Sequence, residues 1–157
     1  MTTQLVINDL IAKNLTIGSV ESFTGGLFAT TLVNYPGVSK TYKGTIIAYS
    51  NDVKERLLNI HKEDLKKFSA VSSVVALELA RHGRKVLGVD FCVAFTGDAG
   101  PTASGQSGEV GDVYIALAYG KDEIVEHFKL KGDRLKVRTD AVSAALSILA
   151  RVLKNYE

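Results

Sequence analysis

Three short apolar segments of this chain are each followed at once by a run of polar residues and glycines. The runs occupy residues 21–26 (Glu-Ser-Phe-Thr-Gly-Gly), 49–54 (Tyr-Ser-Asn-Asp-Val-Lys) and 96–101 (Thr-Gly-Asp-Ala-Gly-Pro). Loops at the carboxyl ends of strands in an open α/β sheet line one crevice. The pattern therefore predicts that a hydroxyl, an amine and a glycine loop meet in one candidate active site.

The periodicity of apolar residues supports a sheet of this kind. Strands are predicted at 15–20, 45–48, 89–95, 113–118 and 123–130, and the last two are expected to form an antiparallel hairpin. Helices are predicted over 5–13, after Gly26, after an N-cap at Asn51 or Asp52, from Ser72 or Ser73 to Leu87, and from about residue 133 to the end. Strands that alternate with helices predict a layered α/β/α domain.

Length and composition limit the possible functions. With 157 residues, of which 46% are hydrophobic, the chain is expected to form a single domain over residues 1–157. The 19 basic and 17 acidic residues are mixed along the chain, so no concentrated charge favours binding to nucleic acid or to a membrane. Cys92, the only cysteine, lies in an apolar run and is expected to be a buried, inert thiol. With neither a signal pattern nor a membrane-length apolar run in the sequence, we expect a cytoplasmic protein.

Ser22 is the candidate nucleophile, and its hydroxyl needs a base that removes its proton. The three histidines, His61, His82 and His127, do not lie beside a glycine turn. Lys54 is the remaining candidate base, although its reference pKa of about 10.4 must be lowered first. A position in the first turn of a helix disfavours the charged amine, and burial in a crevice acts in the same direction. Tyr49 is placed to hydrogen-bond the amine or to relay the proton.

Each of these three residues also has an ordinary explanation. Ser22 suits the N-cap of the following helix, Lys54 suits a solvated surface position, and Tyr49 suits an edge position with its hydroxyl in water. For any one residue alone the ordinary explanation is the more frequent one. Spacing alone leaves both interpretations open.

Two further features suit an anion. The glycines at 97, 100, 105, 108 and 111 make a loop whose backbone N–H groups could bind a phosphate, although a flexible surface loop has the same composition. Arg134 and Arg138 lie one helical turn apart and could clamp a phosphate, but Asp133 and Asp140 are equally available as ion-pair partners.

Taken together, these runs resemble the carboxy-terminal domain of the competence/damage-inducible CinA family, whose stand-alone members include nicotinamide-nucleotide amidases. The matching motifs are Glu21-Ser22-x-Thr24-Gly25-Gly26, Ala48-Tyr49-Ser50-Asn51-x-x-Lys54, Thr96-Gly97-x-Ala99-Gly100-Pro101 and Gly132-Asp133-Arg134-x-x-x-Arg138. The resemblance implies a three-layer α/β/α sandwich with a mixed, mostly parallel five-stranded sheet. It also implies hydrolysis of nicotinamide mononucleotide to nicotinic acid mononucleotide and ammonia, without metal or cofactor, by a homo-oligomer.

By the same resemblance, Ser22 is the nucleophile, Lys54 its base and Tyr49 a supporting hydroxyl. We expect the backbone N–H groups at Thr24, Gly25 and Gly26 to stabilise the oxyanion. The ribose phosphate is expected at the glycine loop. The predicted substrate-binding residues are Thr24, Gly25, Gly26, Thr96, Gly97, Gly100, Gly111 and Arg134.

Four residues and the segment 102–109 depart from the family pattern, and one of the four is Thr45, which replaces a usual glycine. Phe23 stands where a small residue usually follows the serine, Asp98 where an apolar residue is common, and Asp112 where threonine is common. Carboxylates near a phosphate repel it unless they are paired or point away. Two alternatives follow: an amidase acting on a different amide, or a divergent, non-catalytic nucleotide-binding or protein-interaction domain.

Overall fold

The computed structural model describes residues 2–103 and 109–157. This part of the chain forms six α-helices, five strands and one short 3-10 helix. In chain order they are α1 (Thr2–Ala12), β1 (Ile17–Glu21), α2 (Leu27–Val33), the 3-10 helix (Val38–Lys40), β2 (Tyr42–Ile47), α3 (Asn51–Leu58), α4 (Lys62–Phe68), α5 (Ser73–Leu87), β3 (Phe91–Gly97), β4 (Asp112–Tyr119), β5 (Asp122–Lys129) and α6 (Arg134–Lys154).

The five strands form one mixed sheet in the order β2-β1-β3-β4-β5. Strand β1 pairs in parallel with β2 and β3, so that Val20 lies between Ile46 and Ala94. Strand β4 runs antiparallel to both β3 and β5. Four strands therefore point the same way and only β4 is reversed, which confirms the predicted mixed, mostly parallel sheet and the terminal hairpin.

The direction of the three parallel strands determines where the site lies. Strand β1 ends at Glu21, opposite Ile47 at the end of β2, and β3 ends at Gly97. The polar runs 21–26, 49–54 and 96–101 consequently leave the sheet at the same edge. This is the arrangement that the strand and loop pattern predicts.

Helices cover both faces of the sheet and complete three layers. On one face, α1, α2 and α6 pack over a core that includes Phe28, Phe91, Phe95 and Leu149. On the other face, α3, α4 and α5 pack over a second core that includes Leu58 and Leu79. Apolar side chains on both surfaces of the central strands explain why β1 and β3 are buried along nearly their whole length.

The N-cap residue agrees with the sequence-based prediction for α5 and differs from it for α3. Ser72 caps α5 as predicted, by accepting a hydrogen bond from the Val75 N–H. The N-cap of α3 is Ser50, whose hydroxyl accepts from the Val53 N–H, rather than Asn51 or Asp52. Ser50 is itself in an extended conformation, which is the backbone state that a capping side chain requires.

Helix α4 is an element that the sequence pattern does not predict. Its seven residues, Lys62–Phe68, are mostly charged, and Leu65 is its only buried side chain. A helix this short carries too few apolar residues to show a helical period. In the described ranges, no helix has the length and apolarity needed to cross a membrane.

Candidate active site

Ser22 and Lys54 meet at the edge of the sheet. The Lys54 Nζ atom donates a hydrogen bond to the Ser22 Oγ atom over 3.2 Å. Ser22 is 8% exposed and Lys54 only 2%. The ordinary explanations for both residues are thereby contradicted, because the N-cap of α2 is Gly26 and the Lys54 side chain is buried rather than solvated.

Burial changes the acidity of the Lys54 amine. Desolvation lowers its pKa from the ordinary 10.5 to about 8. Nζ has a second acceptor, the Tyr49 carbonyl oxygen at 3.2 Å. With a pKa of about 8, roughly one tenth of the amine is neutral at pH 7, which is enough for it to act as a base.

Tyr49 approaches the amine through its backbone and not through its hydroxyl. Its side chain is 60% exposed, and the hydroxyl accepts a hydrogen bond from Arg134 Nη2 over 2.9 Å. Arg134 Nη1 donates to the Gly100 carbonyl over 2.6 Å. The Lys54 amine therefore contacts the Tyr49 carbonyl oxygen instead of the predicted Tyr49 hydroxyl. The hydroxyl binds Arg134 of α6, which also binds the loop after β3.

A cavity of about 480 Å³ opens beside the Ser22 hydroxyl. Its described lining residues are Ser22, Phe23, Tyr49, Asn51, Lys54, Leu65, Ser69, Ala70, Val71, Thr96, Gly97, Asp98, Ala99, Thr102, Ala103 and Arg134. Thr96, Gly97 and Arg134 are the predicted substrate-binding residues that line it. The cavity thus collects side chains from all three polar runs and from α6.

The turn after Ser22 does not provide the oxyanion donors predicted at its glycines. The Gly25 N–H donates to the Ser22 carbonyl over 3.0 Å, and the Gly26 N–H donates to Glu21 Oε1 over 3.0 Å. Both amides are used inside the turn because the chain reverses tightly there, with both glycines at positive φ. Neither glycine is among the described lining residues, and Thr24 is fully buried.

Of the described glycines in the glycine loop, Gly97 lines the cavity and Gly100 and Gly111 do not. Gly111 donates its N–H to the Asp98 carbonyl over 2.7 Å, and Gly100 contributes its carbonyl to Arg134. Gly111 is held so close to the Leu130 carbonyl that a Cβ atom would lie 2.0 Å from it. Gly111 therefore has a packing role at the base of the hairpin. Gly105 and Gly108 lie outside the described residues.

Two charged residues without a predicted catalytic role hold the serine turn. The Glu21 carboxylate is fully buried and accepts three backbone N–H groups. Arg138, predicted as a phosphate clamp or an ion-pair partner, donates instead to the carbonyls of Phe23 and Thr24. Because these contacts are made to the backbone, no side-chain pattern in the sequence reveals the Arg138 partners.

Three of the residues that depart from the family pattern, Phe23, Asp98 and Asp112, have different surroundings. Phe23 is 5% exposed and packs into the core while it forms part of the cavity wall. Asp112 receives hydrogen bonds from the Glu109 N–H and from His127; burial acts to raise its pKa, but these bonds hold the pKa below its usual value. Asp98 is 8% exposed and lines the cavity. Asp112 is thus paired, and Asp98 is a carboxylate in the cavity wall.

No cluster of metal ligands accompanies this site in the part of the chain that the structure describes. There, no group of three or more His, Cys, Asp or Glu side chains is arranged to hold a metal ion.

Comparison with known proteins identifies the family. The sequence model of the CinA C-terminal domain matches residues 1–153. A CinA-like protein of Dictyoglomus turgidum is 41% identical over 152 residues, which are 97% of this chain and 37% of that protein. A putative competence-damage inducible protein of Clostridium novyi is 42% identical over 144 residues, or 92% of this chain and 35% of that protein. The chain therefore spans little more than a third of the length of these curated relatives.

Solved structures agree with this result. A CinA superfamily protein of Klebsiella pneumoniae has a TM-score of 0.96 at 26% identity, covering 99% of this chain and 97% of that one. The competence/damage inducible protein CihA of Agrobacterium tumefaciens has a TM-score of 0.92 at 30% identity, covering 98% and 94%. By sequence match over nearly its whole length, and by fold, the chain belongs to the CinA C-terminal domain family.

Proposed function

We propose that this protein is an amidohydrolase that converts nicotinamide mononucleotide to nicotinic acid mononucleotide and ammonia, with Ser22 as nucleophile and Lys54 as base. One observation carries the proposal: a buried amine with a pKa of about 8 lies 3.2 Å from a serine hydroxyl in a cavity. A serine beside a base with a lowered pKa is the arrangement that nucleophilic acyl transfer requires.

The chemistry would proceed in two halves. Neutral Lys54 accepts the Ser22 proton as Oγ attacks the carboxamide carbon, which gives a tetrahedral oxyanion. The oxyanion collapses as Lys54 returns the proton to the departing nitrogen, so that ammonia leaves and an ester to Ser22 remains. Water, deprotonated by Lys54, then attacks the ester and releases the carboxylic acid and the Ser22 hydroxyl.

The cavity supports a ligand of this class. Its volume of about 480 Å³ lies within the usual range for small-molecule sites. Lys54 and Arg134 are the cationic side chains among its described lining residues, and a guanidinium suits a phosphate because it offers paired donors. With Lys54 assigned to the chemistry, Arg134 is the proposed phosphate partner.

Asp98 supports a second candidate. It lines the cavity at a position where an apolar residue is common in the family, and this change in the lining favours an amidase that acts on a different amide. A non-catalytic nucleotide-binding or protein-interaction domain is the alternative from another class. An amidase with another substrate would still react at Ser22. A binding module would bind a nucleotide or a protein without turnover.

The test is ammonia release from nicotinamide mononucleotide by the purified protein, with Ser22→Ala as the inactive variant. Ser143→Ala is the matched control, since Ser143 is exposed on α6. The proposal predicts turnover by the wild type and by Ser143→Ala but none by Ser22→Ala. Nucleotide binding without turnover by the folded wild type would favour the binding module. Self-association, implied by the family resemblance, is checked by light scattering on the same sample.

A further inference from the structure

The turn that carries Ser22 is held by two charged side chains, Glu21 and Arg138. We propose that Glu21 and Arg138 are positioning residues that fix the Ser22 hydroxyl against Lys54. Neither side chain donates to or accepts from the Ser22 Oγ atom, so both would act through the backbone. The catalytic consequence rests on the proposed function, whereas the effect on Ser22 reactivity does not depend on the substrate.

Glu21 closes the turn from inside the protein. Its carboxylate accepts the N–H groups of Gly26 at 3.0 Å, Phe28 at 3.1 Å and Ala29 at 2.9 Å. These are amides at the beginning of α2, which have no partner within the helix. Glu21 directly precedes Ser22 and is fully buried. Its three hydrogen bonds therefore tie the first residue of the 21–26 turn to Gly26, the last residue, and to the beginning of α2.

Arg138 holds the middle of the same turn from α6. Its Nε atom donates to the Phe23 carbonyl over 3.0 Å, and its Nη2 atom donates to the Thr24 carbonyl over 2.9 Å. These are the two residues that follow Ser22. The guanidinium thus fixes two successive peptide groups, which a single ammonium cannot do with the same geometry.

A backbone hydrogen bond completes the constraint on the serine itself. The Gly25 N–H donates to the Ser22 carbonyl over 3.0 Å, so the peptide groups on the carboxyl side of Ser22 are all fixed. A displacement of about 1 Å at a reacting group costs on the order of 100-fold in rate. Loss of the Arg138 bonds would allow such a displacement relative to Lys54, while the buried face of α6, which includes Val137 and Ala141, stays intact.

Arg138→Ala and Arg138→Lys test this inference, with Arg151→Ala as the control on the same helix. Arg151 is exposed and pairs with Glu126, on β5. The readout is the rate at which a fluorophosphonate probe labels Ser22, a reaction in which Oγ bonds to phosphorus, fluoride leaves and Lys54 takes the proton. We expect a loss of about 10- to 100-fold in both Arg138 variants, unchanged labelling in Arg151→Ala, and partial recovery of Arg138→Ala with added guanidinium.

The outcomes separate this inference from the proposed function. Labelling of Ser22 that falls in the Arg138 variants, in a protein that does not hydrolyse nicotinamide mononucleotide, supports the positioning role and overturns the proposed substrate. Turnover by the wild type with equal labelling in Arg138→Ala overturns the positioning role alone. A loss that guanidinium does not restore, accompanied by unfolding in circular dichroism, also overturns it, because Arg138 would then be a purely structural residue.

Discussion

The Lys54 amine lies 3.2 Å from the Ser22 hydroxyl, although the two residues are 32 positions apart in the chain. The parallel pairing of β1 with β2 produces this contact, because Glu21 lies opposite Ile47 and both strands end there. Ser22 leaves β1 at this edge, and the Ser50 cap starts α3 so that Lys54 points back toward it. The relationship is therefore built from strand register and one helix cap.

The Lys54 amine predicts the pH dependence of turnover. Only the neutral amine accepts the Ser22 proton, so kcat/KM is expected to rise with pH and to level off above an apparent pKa of about 8. Initial rates between pH 6 and pH 10 check this, with Ser143→Ala expected to give the same profile. A rate that falls over this range would contradict a lysine base.

Replacement of Lys54 by methionine should separate stability from activity. Burial of the charged amine destabilises the folded state wherever the amine is protonated in it, that is, below pH 8. Lys54→Met is expected to lose turnover by about 100-fold or more and to gain about 1 to 3 kcal/mol of unfolding free energy at pH 7. Urea denaturation checks the second value.

Because the pKa of Lys54 is lowered in the folded protein, the stability difference between Lys54→Met and the wild type should depend on pH. As pH rises from 8 toward 10.5, folded wild-type protein releases the proton before the unfolded chain does, and wild-type stability increases. The advantage of Lys54→Met should therefore shrink over that interval. A variant that is less stable than the wild type at pH 7 would show that the two hydrogen bonds of Lys54 outweigh its desolvation.

Glu21→Gln tests the carboxylate under α2. The amide side chain keeps the size of glutamate but turns one acceptor into a donor, which would face a backbone N–H. We expect a loss of about 2 to 4 kcal/mol of unfolding free energy. Thermal and urea unfolding measure it, and Glu55→Gln on α3 is the control of the same chemistry. Equal stabilities of Glu21→Gln and the wild type would contradict the contacts described here.

Glu78, on α5, is expected to make the free energy of unfolding depend on pH, without an effect on turnover chemistry. Burial raises its pKa to about 7 from the ordinary 4.5, and the neighbouring Asp64 carboxyl acts in the same direction. The folded state then holds a proton that the unfolded chain has released. The contribution of Glu78 to stability is therefore complete below pH 4.5 and is lost as pH rises through 7.

Glu78→Gln removes this titrating group, and its effect includes any change that the substitution causes in the neighbouring Asp64 carboxyl. Relative to the wild type, the variant is expected to gain unfolding free energy progressively as pH rises from 4.5 to 8. Urea titrations at several pH values check the trend. A difference between the two proteins that does not change with pH would contradict it.

The sequence predicts the parts of this structure that depend on apolar pattern. The five strands, their carboxyl ends and the meeting of Ser22 with Lys54 follow from short apolar runs and from the geometry of parallel strands. Helix α4 is not predicted because it has one buried residue, Leu65, and one residue cannot show a helical period. The N-cap of α3 differs by one residue because serine, asparagine and aspartate suit the position about equally.

The parts that could not be predicted depend on the backbone. Arg138 has two acidic neighbours in sequence, yet it binds carbonyls 114 and 115 positions away. The Gly25 and Gly26 amides suit an oxyanion by composition, but Glu21 and the Ser22 carbonyl already use them. A sequence reports which side chains are available and does not report which peptide groups they meet after folding.

The proposed chemistry depends on an ester that Ser22, activated by Lys54, forms with the substrate acyl group. Its most direct measurement follows nicotinamide mononucleotide incubated with the protein and hydroxylamine, because hydroxylamine captures an acyl-enzyme as a hydroxamate. We expect ammonia release and hydroxamate formation by the wild type and by Ser143→Ala, and neither product with Ser22→Ala. Ammonia release by Ser22→Ala at the wild-type rate would contradict serine catalysis.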